Sequence, residues 1–139
     1  MFKHILLAVD GSEHAIHAAR VAAELAECHK AMLTLVAVYD PVPPYLGEPN
    51  FRIILDAQLR ESEKNIANAL EILGDLPGEV QTEVLQGPPA EAILEIAKNR
   101  ECDLIVMGSR GLGQLTGLLL GSQSQKVVQH AECPVLIVK

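Results

Sequence analysis

Five short apolar runs, separated by stretches of helical periodicity, constrain what this chain can fold into more than any other feature. They are Ile5 to Val9 (ILLAV), Ala31 to Tyr39 (AMLTLVAVY), Val80 to Gln86 (VQTEVLQ), Asp103 to Met107 (DLIVM) and Val135 to Val138 (VLIV). Continuous apolar runs suit strands covered on both faces of a parallel sheet. Val80 to Gln86 alternates instead, with Val80 and Val84 pointing one way, which suits a half-exposed edge strand.

Helices are expected in the intervals. Asp10-Gly11-Ser12 breaks the first run, Ser12 is a good N-cap, and Glu13 is well placed in a first turn. Ala15, Ala19, Ala22, Ala23 and Ala26 then form a small-residue stripe, and His29 and Lys30 suit the helix C-terminus. Phe51 to Leu73 carries Leu55, Leu59, Ile66, Ala69, Leu70 and Leu73 at helical spacing before Gly74 and Pro77-Gly78 end it. Gly87-Pro88-Pro89 turns into a short helix with Ile93, Ile96 and Ala97 inward. Gln125 to Ala131 reads as a last short helix with Val127 and Val128 on its inner side. This β-α alternation calls for an α/β fold: a parallel sheet, right-handed crossovers and helices on both faces. It does not give the strand order.

A chain of 139 residues is expected to form a single domain, 1–139. Hydrophobic residues make up 49% of it, yet it has two Phe, two Tyr and no Trp, so the core must be built from Ala, Val, Ile and Leu. The formal charge of −7 argues against nucleic acid or an anionic membrane as partner, since both want a basic surface. No apolar run approaches the roughly 18 residues of a membrane helix. Cys28, Cys102 and Cys133 are odd in number and lack metal-ligand spacing. Together these features lead us to expect a reduced, cytoplasmic protein without a leader. Asp40 to Asn50 (DPVPPYLGEPN) holds four prolines, which should forbid regular structure; it reads as a surface connection or as a rim beside a site.

The stretch from Gly108 to Ser124, GSRGLGQLTGLLLGSQS, has glycines at 108, 111, 113, 117 and 121 and lies between a strand and a helix start. Free N–H groups and the helix dipole meet an anion in that arrangement, most often a phosphate. Ser122 and Ser124 could cap the helix or donate to a phosphate oxygen. A mobile loop is the plainer alternative. Two familiar cradles do not fit. The P-loop needs Gly-Lys-Ser/Thr, but Gln123 follows Gly121-Ser122; in the dinucleotide fingerprint the last glycine would come at position 116, which is threonine.

The spacing Gly108-x2-Gly111-x9-Gly121-Ser122 resembles that of the universal stress protein family, in its nucleotide-binding branch. Lys3 to Ser12, Pro89 to Ile93, Asp103 to Gly111 and Cys133 to Val138 are similar to that family's other motifs, in the same order. The resemblance implies a Rossmann-like, three-layer α/β sandwich akin to the adenine nucleotide alpha hydrolases, with strand order 3-2-1-4-5. It also implies a site. Ala8, Val9 and Asp10 would line the nucleoside side, Val38 would meet the adenine through its main chain, and Met107 and Gly108 would approach the ribose. Arg110, Gly111, Gly121, Ser122, Gln123 and Ser124 would surround the phosphates. The ligand implied is ATP, with AMP and ADP as alternatives and Mg²⁺ optional.

Asp10 could accept from a ribose hydroxyl or an adenine amine, or hold Mg²⁺ through water; equally it could be a turn-forming aspartate. Arg110, the one charged side chain in the loop, is either the phosphate's cationic partner or a solvated arginine. Gln123 departs from the small or apolar residue frequent at this place in the family. Lys126 could reach a terminal phosphate or stay solvated. Leu112, Leu115, Leu118, Leu119 and Leu120 pack on the core or a partner, or cover the nucleotide. His14 and His17, three apart on a helix, make only a weak metal pair, and no metal site is expected. A receiver domain is excluded because only Asp10 is present of the acids it needs. The leading expectation is an ATP-binding regulatory protein with at most slow hydrolysis, forming a homodimer through the edge strand 134–138. A dimeric interaction module that binds no nucleotide is the alternative.

Overall fold

The alternating runs become five strands and four α-helices in a computed structural model that describes residues 1–110 and 120–139. In chain order these are β1 (His4–Val9), α1 (Glu13–His29), β2 (Met32–Tyr39), α2 (Asn50–Leu73), β3 (Val80–Gln86), α3 (Pro89–Asn99), β4 (Leu104–Gly108), α4 (Ser122–His130) and β5 (Val135–Val138). All pairings are parallel and the strand order is β3-β2-β1-β4-β5, the order implied by the resemblance. β1 lies between β2 and β4, with Ile5 opposite both Leu33 and Leu104. The winding therefore reverses between β1 and β4, which opens a crevice at the carboxyl ends of those two strands.

Period-two alternation sorts the strand side chains into two cores. Ile5, Leu7, Val9, Leu33, Leu35, Leu104 and Val106 face α1 and α2, where Ala18, Ala19, Ala22, Ala26, Ile66, Ala69 and Leu73 meet them. Leu6, Val36, Ile105 and Met107 face the other way, against Ala90, Ile93 and Ala97 of α3 and Val127 of α4. The alanine stripe lets α1 lie close to the sheet. It runs through Ala18 rather than Ala23, which is only half-buried.

Four expectations need correction. Leu70 is 39% exposed, and the buried positions of α2 are Ser62, Ile66, Ala69 and Leu73, with Leu55 and Leu59 half-buried. Val128 is 46% exposed, because a helix as short as α4 turns one position per turn inward and Val127 takes it. α4 begins at Ser122, a turn earlier than Gln125. The proline-rich segment includes a 3₁₀ turn over Pro44–Leu46, since proline's fixed φ suits the first position of such a turn.

The amino end of the sheet is held by polar contacts. The Asp103 carboxylate accepts the N–H groups of Lys3 (2.8 Å) and His4 (3.1 Å). The His4 ring lies between Thr34 Oγ1 (2.7 Å) and the Arg100 carbonyl (3.0 Å), and Arg100 in turn bonds Gln81 and Glu83 of β3. These bonds satisfy Thr34, which is fully buried mid-sheet.

Candidate functional site

At the opposite end, Asp10 and Gly11 leave β1 in a tight turn. Asp10 Oδ1 accepts both the Ser12 N–H (2.9 Å) and the Ser12 hydroxyl (2.6 Å). This is a side-chain-closed turn, and Gly11 supplies it with a φ of +78° that favours glycine. The other Asp10 oxygen makes no hydrogen bond among the described residues. Ser12 caps α1 as expected, accepting the Ala15 N–H at 3.2 Å. Its hydroxyl also lies 3.4 Å from the Arg110 carbonyl, which ties the first turn to the exit of β4.

The exit of β4 is pinned from several sides. Ser109, 1% exposed, donates its N–H to the Val138 carbonyl (2.8 Å) and accepts the Gly121 N–H on its own carbonyl (2.7 Å). Its hydroxyl pairs with His14 Nδ1 at 2.6 Å. The two ends of the glycine-rich stretch thus close on each other beside the Asp10 turn. Gly108 has no room for a side chain: a Cβ there would come within 2.8 Å of His14 Cβ.

Sequence position proves a partial guide to where each candidate residue's side chain goes. Ala8, Val38 and Met107 share the α3/α4 face of the sheet, whereas Val9 is buried in the opposite core, so only its main chain adjoins Ala8. Gly121 is the N-cap of α4, whose first turn carries no side-chain cap. Of the two roles expected for Ser122 and Ser124, neither serine takes that of the N-cap. Ser122 is exposed inside the first turn, and the buried Ser124 donates its hydroxyl to the Gly108 carbonyl at 2.9 Å. Gln123 turns away toward α3, where its Oε1 accepts the Ala90 N–H at 3.0 Å. A glutamine reaches that helix start, which lacks a side-chain cap of its own, and a smaller residue would not. Arg110 is half-buried and Lys126 exposed. Gly111 and the leucines at 112, 115, 118 and 119 lie outside the described residues.

Ser109 and His14 were missed as a pair. Nothing in their spacing signals a contact across 95 positions. The His14 and His17 rings stack with centroids 6.5 Å apart, but their Nδ1 atoms point to Ser109 and to the Lys139 carbonyl. No group of three His, Cys, Asp or Glu side chains able to hold a metal ion occurs among the described residues.

A family model, the universal stress protein family, matches residues 1–139. The protein belongs to the universal stress protein family. A Thermus aquaticus relative, described as the universal stress protein in the QAH/OAS sulfhydrylase 3′ region, is 55% identical over 100% of both chains. The solved universal stress protein UspA from Lactobacillus plantarum superposes with a TM-score of 0.88 at 30% identity, covering 99% of this chain and 98% of its own. Another universal stress protein, solved in complex with cAMP, gives a TM-score of 0.69 at 25% identity, covering 99% and 97%. In this family member, then, the switch-point crevice is framed by the Asp10 turn, the β4 exit and the N-terminus of α4, whose N-cap Gly121 has no side chain to offer.

Proposed function

We propose that this universal stress protein, a single domain over 1–139, binds ATP in the β1/β4 crevice and acts as a nucleotide-dependent regulator in the cytoplasm. One observation carries the reading. The described ends of the glycine-rich stretch close on each other through Ser109 and Gly121 and lie against the Asp10 turn, with the uncapped first turn of α4 beside them. N–H groups at a helix start without an N-cap side chain are available to an anion. The relative solved with cAMP supports an adenine nucleotide as the occupant.

In this reading Ala8, the Val9 main chain and Asp10 border the nucleoside. Val38 meets the base through its main chain, and Met107 and Gly108 approach the ribose. Arg110, Gly111, Gly121, Ser122 and the N–H groups of Gln123 and Ser124 surround the phosphates. The side chains of Gln123 and Ser124 are committed to α3 and β4, so those two residues serve through their main chain. Mg²⁺ would reach the phosphates through water held by Asp10. Hydrolysis is at most slow in this reading, because Arg110 is the one charged side chain between Gly108 and Ser124 and that stretch brings neither a phosphate-binding lysine nor a second acid. Calorimetric titration with ATP and Mg²⁺ tests the proposal, with AMP and cAMP run alongside. A dissociation constant weaker than about 1 mM, roughly −4 kcal/mol, rejects it. Gly121→Asp places bulk and negative charge at the α4 start and should abolish binding while the fold survives; undiminished affinity counts against this site.

The same chain is proposed to form a homodimer through β5, which lies at the sheet edge with Leu136 37% exposed. An unpaired edge of this kind presents free N–H and C=O groups to a second copy. A dimeric interaction module without nucleotide is the second reading, favoured by the diversion of the Gln123 and Ser124 side chains into the fold.

A further inference from the structure

At the end of the sheet away from the crevice, the carboxyl ends of α3 and α4 and the amino ends of β4 and β5 enclose a pocket of about 460 Å³. That volume is ordinary for a small-molecule site, typically about 300–1,000 Å³. Leu94, Ala97 and Ile105 give it apolar walls, Lys98 and Glu132 also line it, and Cys102 and Cys133 both face it.

Strand pairing places the two cysteines at one end of the sheet. Ile105 lies opposite Val135, and its N–H donates to the Pro134 carbonyl at 3.0 Å. Cys133 immediately precedes Pro134, and Cys102 stands just before β4. The two cysteines thus enter the same end of neighbouring strands and pack in one apolar cluster on the α3/α4 face. Both line the same pocket, and both are free thiols.

Their chemistry can be narrowed. A structural zinc ion needs four ligands, and among the described residues not even three donors assemble. Peroxides and disulfides react with thiolates. Burial, with Cys133 adding to it, pushes the Cys102 thiol up to about 11, and burial raises Cys133 as well. At pH 7 a thiol of that kind is ionised only to roughly 10⁻⁴, so those routes are slow. A reagent that condenses with neutral thiols escapes this penalty.

We propose that the Cys102–Cys133 pocket is a dithiol site for a trivalent organoarsenical, with both sulfurs on one arsenic atom and the organic group in the apolar cavity. In the binding step R–As(OH)₂ and two thiols give R–As(S)₂ and two waters. Two As–S bonds form and two As–O bonds break. The thiol protons leave in the waters, and arsenic remains trivalent. The organic substituent occupies the third bond of arsenic, so two protein donors complete the site.

The test uses the full, reduced chain with phenylarsine oxide, followed by native mass spectrometry and an equilibrium titration. One phenylarsenic group should add per chain with both its hydroxyls lost. The adduct should withstand millimolar monothiol and be released by 2,3-dimercaptopropanol. Cys28→Ser should bind as the parent does, whereas Cys102→Ala and Cys133→Ala should each weaken binding by on the order of 100-fold or more, because chelation is lost. An adduct stripped by monothiol, an adduct that depends on Cys28, or single-cysteine variants that bind as tightly as the parent would each overturn the proposal. The monothiol challenge reads the unmutated chain, so it holds even if Cys102→Ala does not fold. Nucleotide plays no part in this test, which stands apart from the ATP reading.

Discussion

Gly108 is a position beside the crevice that leaves no room for a side chain. A Cβ would meet not only the His14 side chain but its carbonyl carbon at 2.9 Å, so α1 itself would have to move. Gly108→Ala should therefore destabilise by about 1–3 kcal/mol in urea unfolding; a cost near zero would show that the first turn of α1 yields freely. Cys102 gives a pH signature of opposite location. The folded chain keeps this proton to about 11, whereas an unperturbed thiol gives it up near 9.0. Above about pH 9 the unfolded state thus releases a proton that the folded state retains, and stability falls as pH rises through that window. Cys102→Ala should flatten the fall, as measured by denaturant midpoints at pH 8, 9 and 10; an equally steep fall refutes it. Which residue roles were legible follows from range. Asp10 and Ser12 could be read because their bonds are local. Ser124 could not, since its partner Gly108 lies across the glycine-rich stretch.

Among the elements, α4 shows most clearly where sequence patterning stops. Ser122 and Ser124 are middling helix formers, so propensity gives little reason to start at Ser122. Tertiary bonds supply the reason: the Gln123 side chain holds the α3 start, and Ser124 holds the end of β4. The same helix is too short for periodicity to separate Val127 from Val128. α1, by contrast, was legible in full outline because its cap, first-turn acid and alanine stripe agree with one another. Gln123→Ala removes the partner of the Ala90 N–H and should cost about 0.5–2 kcal/mol, as loss of a helix cap does. If Gln123 serves the nucleotide only through its main chain, ATP affinity should fall far less than for Gly121→Asp. Calorimetry beside thermal melts separates the two, and a large affinity loss without destabilisation would assign the side chain to the phosphates instead.

For the whole molecule, alternation of apolar runs and helices was enough to give a parallel sheet covered on both faces, because burial on two sides leaves a signature within each strand. The order of strands was not readable from patterning, since no residue in β1 records that β4 rather than β3 lies beside it; only the family resemblance implied it. β5 at one edge sets a prediction at this scale. If the proposed dimer forms through β5, Leu136→Lys, at an exposed position on that strand, should shift the chain toward monomer in sedimentation, as edge lysines do. An unchanged dimer would place the interface elsewhere.

The bond from Gly121 N–H to the Ser109 carbonyl makes the intervening segment a ring fastened at its neck. Closing such a ring depends only weakly on its circumference, roughly 0.6 kcal/mol for each doubling. Residues added to or taken from the sequence between Ser109 and Gly121 therefore burden the scaffold very little, and evolution is at liberty to rewrite that stretch while the neck stays as it is.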